Sequence, residues 1–122
     1  MKNVLLMKIL VVDDNIDSAE SLALLLSLGG HQTDVAHDGP GALDAAARFQ
    51  PDVMLLDISL PRMDGLEVCR RVRQEPWGRS IGMVALTGFG EDKVDTARAG
   101  FDRHMVKPID FDALVKTLET LR

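Results

Sequence analysis

Short apolar runs alternate with amphipathic stretches along the whole of this chain. Five of the runs predict β-strands, because consecutive apolar or β-branched residues are typical of parallel strands that are covered on both faces. The run at 32–36 is more polar than the others, so we expect it at an edge of the sheet. The predicted strands are residues 8–12, 32–36, 53–56, 81–86 and 103–106.

The stretches between and after these runs predict five helices. Gly29 and Gly30 end the first helix, and Pro51 ends the second. Asp110 is a favourable N-cap for the last helix, whose apolar residues recur at spacings of three and four. The predicted helices are residues 15–28, 38–49, 66–74 and 91–99, and a last helix that follows Asp110.

Strict alternation of strand and helix predicts an α/β fold. We expect a single doubly wound (βα)5 three-layer sandwich, in which helices cover both faces of a parallel five-stranded sheet of order 2-1-3-4-5. Ligand chemistry in such a sheet gathers at the carboxyl ends of the strands, beside the switch point between the first and third strands. The 122 residues are expected to form one domain, with a core from about residue 8 to residue 122.

Composition and charge argue against several classes of function. The chain has 14 Lys and Arg residues against 19 Asp and Glu residues, and this net charge of −5 argues against a nucleic-acid partner. Its one cysteine, Cys69, allows no intrachain disulfide and suits a reducing compartment. The apolar run at 4–12 is interrupted by Lys8, is too short to span a membrane and lacks a signal-peptide cleavage site. These features predict a cytoplasmic protein without a membrane partner.

Five polar residues are predicted to converge at the carboxyl edge of the sheet, because they directly follow its strands. They are Asp13 and Asp14 after the first strand, Asp57 after the third, Thr87 after the fourth and Lys107 after the fifth. No comparable group is predicted at the opposite edge. Three carboxylates, a hydroxyl and an ammonium at one edge suit the binding of a divalent cation and a phosphoryl group.

Each of these residues also has a purely structural interpretation. Asp13 and Asp14 could cap the first helix, or their mutual repulsion could be offset by a hard cation with oxygen ligands, Mg²⁺. Asp57 could start a turn, or it could attack phosphorus and form an acyl phosphate. Thr87 could be an ordinary strand residue or a donor to a phosphoryl oxygen. Lys107 could be an exposed loop residue or a point charge that neutralises phosphoryl oxygens. Their convergence favours the functional interpretation.

With these residues the chain closely resembles the receiver domain of bacterial two-component response regulators, a chemotaxis-receiver-like and flavodoxin-like family. The resemblance covers the chain from about Lys8 to the C-terminus. The combination of matching segments is highly specific, whereas any one of them would be a modest signal. The segments are KILVVDDN at 8–15, PDVMLLDISLPRMDG at 51–65, MVALTG at 83–88 and AGFDRHMVKPID at 99–110.

The resemblance implies a phosphoacceptor and a set of Mg²⁺ ligands. Asp57 would accept the phosphoryl group and would also be a metal ligand. Asp14 would bind the ion directly, and Asp13 would bind it through water. The backbone carbonyl of Ser59, two residues after the acceptor, would supply a further ligand.

Other implied roles fall at the ends of the fourth and fifth strands. Lys107 would pair with the acceptor carboxylate or the phosphoryl oxygens, and its peptide bond to Pro108 would be cis. Thr87 would be the switch hydroxyl, and the small Gly88 beside it would leave the pocket open to small donors and water. The chain departs from the family at His104, where receivers often carry Tyr or Phe as a second switch residue. This histidine resembles the receivers of hybrid sensor kinases; it could make the output face sensitive to pH, but a passive surface residue is the favoured interpretation.

The implied function is that of a signalling switch in a phosphorelay. A histidine kinase or a histidine-phosphotransfer protein would present phosphohistidine to Asp57 in a Mg²⁺-dependent reaction. The chain would catalyse only its own phosphorylation and dephosphorylation. The phosphoryl group would draw in Thr87 and shift the loop 88–90, so that the face of the fourth helix, fifth strand and last helix changes its preference for a downstream protein. No output domain is expected after the last helix, and a monomer or weak dimer is expected.

Leucines on the first helix suggest where the phosphohistidine partner docks. They are too numerous for one buried stripe, so some are expected to form an exposed apolar patch that meets a helical bundle. A wide interface between this helix and the sheet is the structural alternative. The leucines are Leu22, Leu24, Leu25, Leu26 and Leu28.

Two other classes of function are disfavoured. An aspartate-nucleophile phosphohydrolase of the haloacid-dehalogenase type also places an Asp after a parallel strand, but it requires a second Asp two residues later, where this chain has Ser59. A flavin- or dinucleotide-binding module would need a G-x-G-x-x-G loop after the first strand, where Asp13 and Asp14 would repel a pyrophosphate.

Overall fold

A computed structural model describes residues 6–88 and 93–121 of the chain. Strands and helices alternate throughout these ranges, as the sequence predicts. The elements are β1 (Lys8–Val12), α1 (Ile16–Leu28), β2 (Gln32–Ala36), α2 (Gly39–Phe49), β3 (Val53–Asp57), α3 (Gly65–Gln74), a 3₁₀ turn (Pro76–Gly78), β4 (Gly82–Thr87), α4 (Lys93–Ala99), β5 (Arg103–Val106) and α5 (Phe111–Glu119).

The five strands form one parallel sheet of order β2-β1-β3-β4-β5, which confirms the predicted topology. The register aligns the carboxyl ends of neighbouring strands. Val12 of β1 is opposite Leu56 of β3, and Asp57 is opposite Leu86 of β4. The residues that follow these strands are therefore brought to the same edge.

Two apolar layers enclose the sheet, because successive side chains of a strand point to opposite faces. On β3, Val53 and Leu55 pack with α1 and α5, whereas Met54 and Leu56 pack with α2, α3 and the end of α4. All four side chains are buried. Helices on both faces of one sheet are the three-layer arrangement that the sequence predicts, and this core fixes where the strands end.

Capping side chains explain why α1 and α2 each begin one residue later than predicted. Asn15 accepts a hydrogen bond from the backbone amide of Ser18 at 2.9 Å, and Asp38 accepts one from that of Gly41 at 2.6 Å. Asn15 and Asp38 are therefore N-caps with extended backbones and not helical residues. Because Asn15 caps α1, the interpretation of the preceding two aspartates as its cap is wrong.

Other boundaries also differ from the prediction. β3 ends at Asp57, one residue later than predicted, and α3 begins at Gly65, one residue earlier. β4 runs one residue later than predicted at both ends, so Thr87 is its last residue and not the residue after it. α4 is described from Lys93, whereas the sequence predicts a start at Glu91, and residues 89–92 lie outside the described part. That gap also includes Phe89 and Gly90 of the predicted switch loop. Among the described residues, no helix has the length and apolar character needed to cross a bilayer.

Two glycines allow the loop after β3 to pack tightly against its surroundings. A Cβ atom at Gly65 would clash with the backbone oxygen of Asp57, and one at Gly39 would clash with that of Met63. A hydrogen bond from the Gly65 amide to the Ile58 oxygen, 3.0 Å long, closes the loop. The segment directly after Asp57 is therefore held by its own backbone and by the start of α2.

Candidate functional site

The strand ends bring four predicted site residues to the carboxyl edge of the sheet. Asp13 directly follows β1, Asp57 and Thr87 are the last residues of β3 and β4, and Lys107 directly follows β5. Asp13, Asp57 and Thr87 are buried, and Asp14 is exposed beside them. The structure therefore assembles the site from residues that are up to 94 positions apart in sequence.

Three carboxylates form a compact acidic cluster at this edge. One oxygen from each of Asp13, Asp14 and Asp57 lies within 4.8 Å of the other two. The Oδ1 atom of Asp13 accepts a hydrogen bond from the Asn15 amide at 2.9 Å, and Oδ1 of Asp57 accepts one from the Ser59 amide at 2.9 Å. These local bonds orient both buried side chains and leave their Oδ2 atoms turned toward another group.

That group is the Lys107 ammonium, which bridges the two buried carboxylates. Its Nζ atom donates to Oδ2 of Asp57 at 2.7 Å and to Oδ2 of Asp13 at 3.0 Å. The backbone amide of Lys107 donates to the Thr87 oxygen at 2.7 Å, which fixes the residue to the end of β4. The Lys107–Pro108 peptide bond is cis, as the resemblance implies. Lys107 is therefore an inward-facing point charge and not an exposed loop residue.

Burial and charge act in opposite directions on these groups. Burial raises the pKa of Asp57, and the hydrogen bonds from Lys107 and the Ser59 amide offset only part of that rise. Burial lowers the pKa of Lys107, but its hydrogen bonds with Asp57 and Asp13 outweigh that effect, so its pKa is raised overall. The ammonium therefore keeps its charge. Any additional cation nearby would favour the ionised form of the Asp57 carboxyl group.

The donor set fits a hard divalent cation. Three carboxylates carry three negative charges, and the one ammonium between two of them supplies a single positive charge. Carboxylate oxygens are ligands that Mg²⁺ prefers, and Mg²⁺ characteristically uses few protein carboxylates together with water. Asp13, Asp14 and Asp57 therefore match the predicted metal site, and the Ser59 carbonyl stays a prediction.

Thr87 and His104 form a contact that the favoured interpretation of the sequence did not include. Thr87 Oγ1 lies 2.8 Å from His104 Nε2 and donates to the Met105 oxygen at 3.3 Å. The histidine is half-buried. His104 is therefore not a freely exposed surface residue, because its ring is hydrogen-bonded to the predicted switch hydroxyl, and its role in switching stays a prediction.

Sequence reasoning missed one neighbour of the acidic cluster. The Nδ1 atom of His37 lies 3.0 Å from the backbone oxygen of Asp13. His37 directly follows β2, so the same strand-end rule that found the other residues points to it as well. The contact is to the backbone, and it supports the loop that carries Asp13 and Asp14.

An apolar groove of about 560 Å³ adjoins the acidic cluster on the α1 side. Its lining includes Leu22 and Leu25 of α1, Pro108 and Ile109 after β5, and the charged residues Asp13 and Lys107. Leu24, Leu25 and Leu28 are exposed, which confirms the expected surplus of leucines on this helix. The groove connects this apolar surface directly to the charged site.

Comparison with protein families settles the relationship of the chain. Residues 9–119 match the family described as the response regulator receiver domain. The chain belongs to this family. It is therefore a phosphoacceptor signalling domain of two-component systems with the flavodoxin-like receiver fold. These comparisons give no support to the phosphohydrolase alternative.

Individual relatives agree with this assignment. The response regulator MprA of Mycobacterium avium is 39% identical over 117 residues, which cover 94% of this chain and 50% of the relative. The chain thus spans about half the length of the curated relatives it matches. The receiver domain of sensor histidine kinase PA1611 from Pseudomonas aeruginosa, solved with a coordinated magnesium ion, is 28% identical with a TM-score of 0.86, and the alignment covers 96% and 98% of the two chains.

A chemotaxis receiver has the same fold. The chemotaxis response regulator CheY4 of Vibrio cholerae is 27% identical to this chain, with a TM-score of 0.88 and coverage of 97% and 100% of the two chains. Similarity therefore extends both to a chemotaxis response regulator and to the receiver domain of a sensor kinase.

Proposed function

We propose that Asp57 is the phosphoacceptor of this receiver domain and that phosphohistidine on a partner protein is its donor. The observation that carries the proposal is the Lys107 ammonium, which bridges the buried carboxylates of Asp57 and Asp13 inside a three-carboxylate cluster. Such a site holds its nucleophile in place and has a fixed positive charge where phosphoryl oxygens would arrive.

The proposed transfer needs little covalent help from the protein. An Asp57 oxygen attacks phosphorus, the bond between phosphorus and the histidine nitrogen breaks, and the electron pair leaves with the imidazole. The product is a mixed carboxylic–phosphoric anhydride on Asp57. Hydrolysis resets the switch. Water attacks phosphorus and the bond to Asp57 breaks, which restores the carboxylate and releases phosphate. Positioning and electrostatic stabilisation dominate reactions of this kind.

Asp13, Asp14, Asp57 and the Ser59 carbonyl would hold Mg²⁺ in this proposal. The ion, when bound, would neutralise charge on the transferring phosphoryl group. The clustered oxygen donors of this chain support that assignment. The magnesium ion of the PA1611 receiver supports it as well, because that protein has the same fold.

We further propose that Thr87 couples the phosphoryl group to the output face. Thr87 ends β4, next to the strand that carries Asp57, and its backbone pairs with Val106 of β5. If the Thr87 hydroxyl moved toward the phosphoryl group, its hydrogen bonds to β5 would change. The face formed by α4, β5 and α5 would then be the surface that a downstream protein distinguishes.

We propose that the phosphohistidine partner docks on α1. The side chain of Leu25 is 47% exposed and lines the groove that leads to Lys107 and Asp13. An apolar helix surface next to the nucleophile would let a helical partner bring its phosphohistidine within reach of Asp57. Leu24 is similarly exposed, at 59%, but does not line the groove, so it offers a matched control position.

The remaining parts of the proposal concern cellular context. A domain that transfers phosphoryl groups only to and from its own aspartate has no separate substrate, so we propose that it is a switch and not an enzyme in the usual sense. We place it in the cytoplasm, because its phosphohistidine partner would present its donor there, and we expect a monomer or weak dimer.

Acetyl phosphate tests the chemistry without any partner protein. With Mg²⁺, the wild-type chain is expected to gain the mass of one phosphoryl group, stable in acid and labile in base, and Asp57→Asn is expected to gain none. Intact mass is the preferred readout, because Trp77 lies beside Asp52 and Val53 at the opposite end of the sheet. A phosphoryl adduct that persists in Asp57→Asn, or turnover of many phosphate esters, would contradict the proposal.

A further inference from the structure

The hydroxyl of Thr87 is hydrogen-bonded to the strand on the far side of β4 from Asp57. Its two described contacts are to β5, at 2.8 Å to His104 Nε2 and at 3.3 Å to the Met105 oxygen. Asp57 belongs to β3, and the sheet order is β3-β4-β5. The hydroxyl is therefore held on the side that faces away from the proposed phosphoacceptor.

These two contacts occupy the bonding capacity that a phosphoryl group would need. A threonine hydroxyl has one proton to donate and two lone pairs to accept with. When Nε2 of His104 carries its proton, it donates to a lone pair of the hydroxyl, whose own proton goes to the Met105 oxygen; in the other tautomer the hydroxyl donates to Nε2. A hydroxyl that donates to a phosphoryl oxygen must give up the bond to Met105 and turn away from His104.

The sheet register places His104 on the same face of the sheet as Thr87, within reach of its hydroxyl. His104 is opposite Ala85, two residues before Thr87, and so lies on the same face of the sheet as both. Thr87 is buried and His104 is half-buried. Because few water molecules can replace a partner at a buried hydroxyl, the bond from His104 weighs more here than at an exposed site.

We propose that His104 is a positioning residue that holds Thr87 in the resting arrangement and thereby opposes phosphorylation of Asp57. The inference rests on the proposed functions of Asp57 and Thr87. The free energy of the Thr87–His104 bond is lost when the hydroxyl turns to the phosphoryl group, so it is subtracted from the stability of the phosphorylated state. Removal of the bond, with the ring volume kept, shifts the balance toward that state.

Beryllofluoride binding measures this balance in the intact chain, because beryllofluoride mimics a phosphoryl group on an aspartate. His104→Phe keeps an aromatic ring and removes Nε2, and it is expected to bind beryllofluoride in Mg²⁺ about two- to tenfold more tightly than wild type, the effect of one net hydrogen bond. His104→Gln keeps a nitrogen donor at a similar reach and is expected to bind as wild type does. Unfolding midpoints of all variants report whether each one is folded.

A double-mutant cycle with Thr87→Val separates positioning from a merely structural role. Without the hydroxyl, His104→Phe is expected to leave beryllofluoride affinity unchanged. An equal gain in both backgrounds, or no gain in the Thr87 background, would overturn the inference. Failure of wild type to bind beryllofluoride or to form an acyl phosphate would instead overturn the proposed function, and the inference with it.

Discussion

Both edges of the sheet carry aspartates, but those of the amino edge are exposed, whereas Asp13 and Asp57 of the carboxyl edge are buried. At the amino edge, Asp52 accepts from the Lys8 amide at 2.8 Å, and Asp102 accepts from the Met83 amide at 2.8 Å and from Arg73 at 3.0 Å. Each carboxylate there is paired with a backbone group at the start of a strand. At the carboxyl edge, Asp13 and Asp57 share the single ammonium of Lys107.

The hydrogen-bond partners of each carboxylate distinguish the structural acids of this molecule from those of the candidate site. A carboxylate that caps the first amide of a strand satisfies a backbone donor and holds the fold together. Asp13 and Asp57 also accept backbone amides, but only through Oδ1, and their Oδ2 atoms converge on one ammonium beside a third carboxylate. In the described residues, the carboxyl edge alone gathers three acids within reach of one ion.

Loss of the bridging ammonium is expected to have the largest effect on phosphorylation at the carboxyl edge. Lys107→Met keeps most of the side-chain volume and removes the charge, so acetyl phosphate is expected to phosphorylate it roughly 10²-fold more slowly, as when one preorganised donor is lost from a transition state. Its Mg²⁺ affinity, measured by calorimetry, is expected to rise, because less positive charge opposes the ion. Lys116→Met removes an exposed lysine of α5 and serves as the control. Unchanged phosphorylation of Lys107→Met would contradict the role of the ammonium.

The apolar groove beside the carboxyl edge is expected to affect phosphoryl transfer from a partner protein. Leu25→Asp is expected to slow transfer from a phosphorylated histidine kinase by an order of magnitude or more, because about the free energy of one buried leucine is lost from the interface. Phosphorylation by acetyl phosphate is expected to stay at the wild-type rate. Leu24→Asp changes a comparably exposed leucine outside the groove and is expected to have a smaller effect. Equal loss with both phosphoryl donors would count against docking at this surface.

Substitution of an acidic residue at the amino edge should lower the stability of the fold and leave the phosphorylation rate unchanged. Asp102→Ala removes the acceptor of both the Met83 amide and Arg73, and it is expected to lower the free energy of unfolding by about 1–3 kcal/mol in urea titrations. Its phosphorylation by acetyl phosphate is expected to match wild type once the protein is folded. Glu119→Ala, at an exposed position near the end of α5, controls for loss of a carboxylate alone. A phosphorylation defect in folded Asp102→Ala would erase the distinction between the two edges.

A smaller effect concerns the pH dependence of stability without metal. Burial raises the pKa of Asp57, so the folded chain releases this proton at higher pH than the unfolded chain does. Stability from this group is therefore full below the ordinary carboxyl pKa and is lost as pH rises through the raised value. In chelator, calorimetric melting should show Asp57→Asn gaining stability relative to wild type across this range, and Mg²⁺ should reduce the gain. A relative loss by the Asn variant would reverse the assigned sign.

Much of the fold could be predicted, because its signals are local or periodic. Apolar runs predicted every strand, and alternation with helices predicted the sheet order. The helix starts were displaced by one residue where a capping side chain such as Asn15 competes with the helix for the same position. Strand ends then predicted Asp57 and Lys107 as neighbours, since topology alone brings them together.

The contacts that escaped prediction depend on side-chain direction. The bond between Thr87 and His104 requires a particular rotation of both side chains, which no spacing encodes. Arg73 likewise donates to the backbone oxygens of Gly78 and Gly100, which lie in different segments. Such contacts are decided by packing in three dimensions, and they modify a site whose main residues the sequence already indicates.

Chemical trapping shows directly which residue of the chain carries the phosphoryl group. After reaction with acetyl phosphate and Mg²⁺, borohydride reduction converts an aspartyl phosphate to a stable alcohol that peptide mass spectrometry can assign to one residue. The account predicts that the reduced residue is Asp57, in the strand that ends beside Lys107 and Asp13. Reduction at Asp13, at Asp14 or at an acid of the amino edge would contradict it.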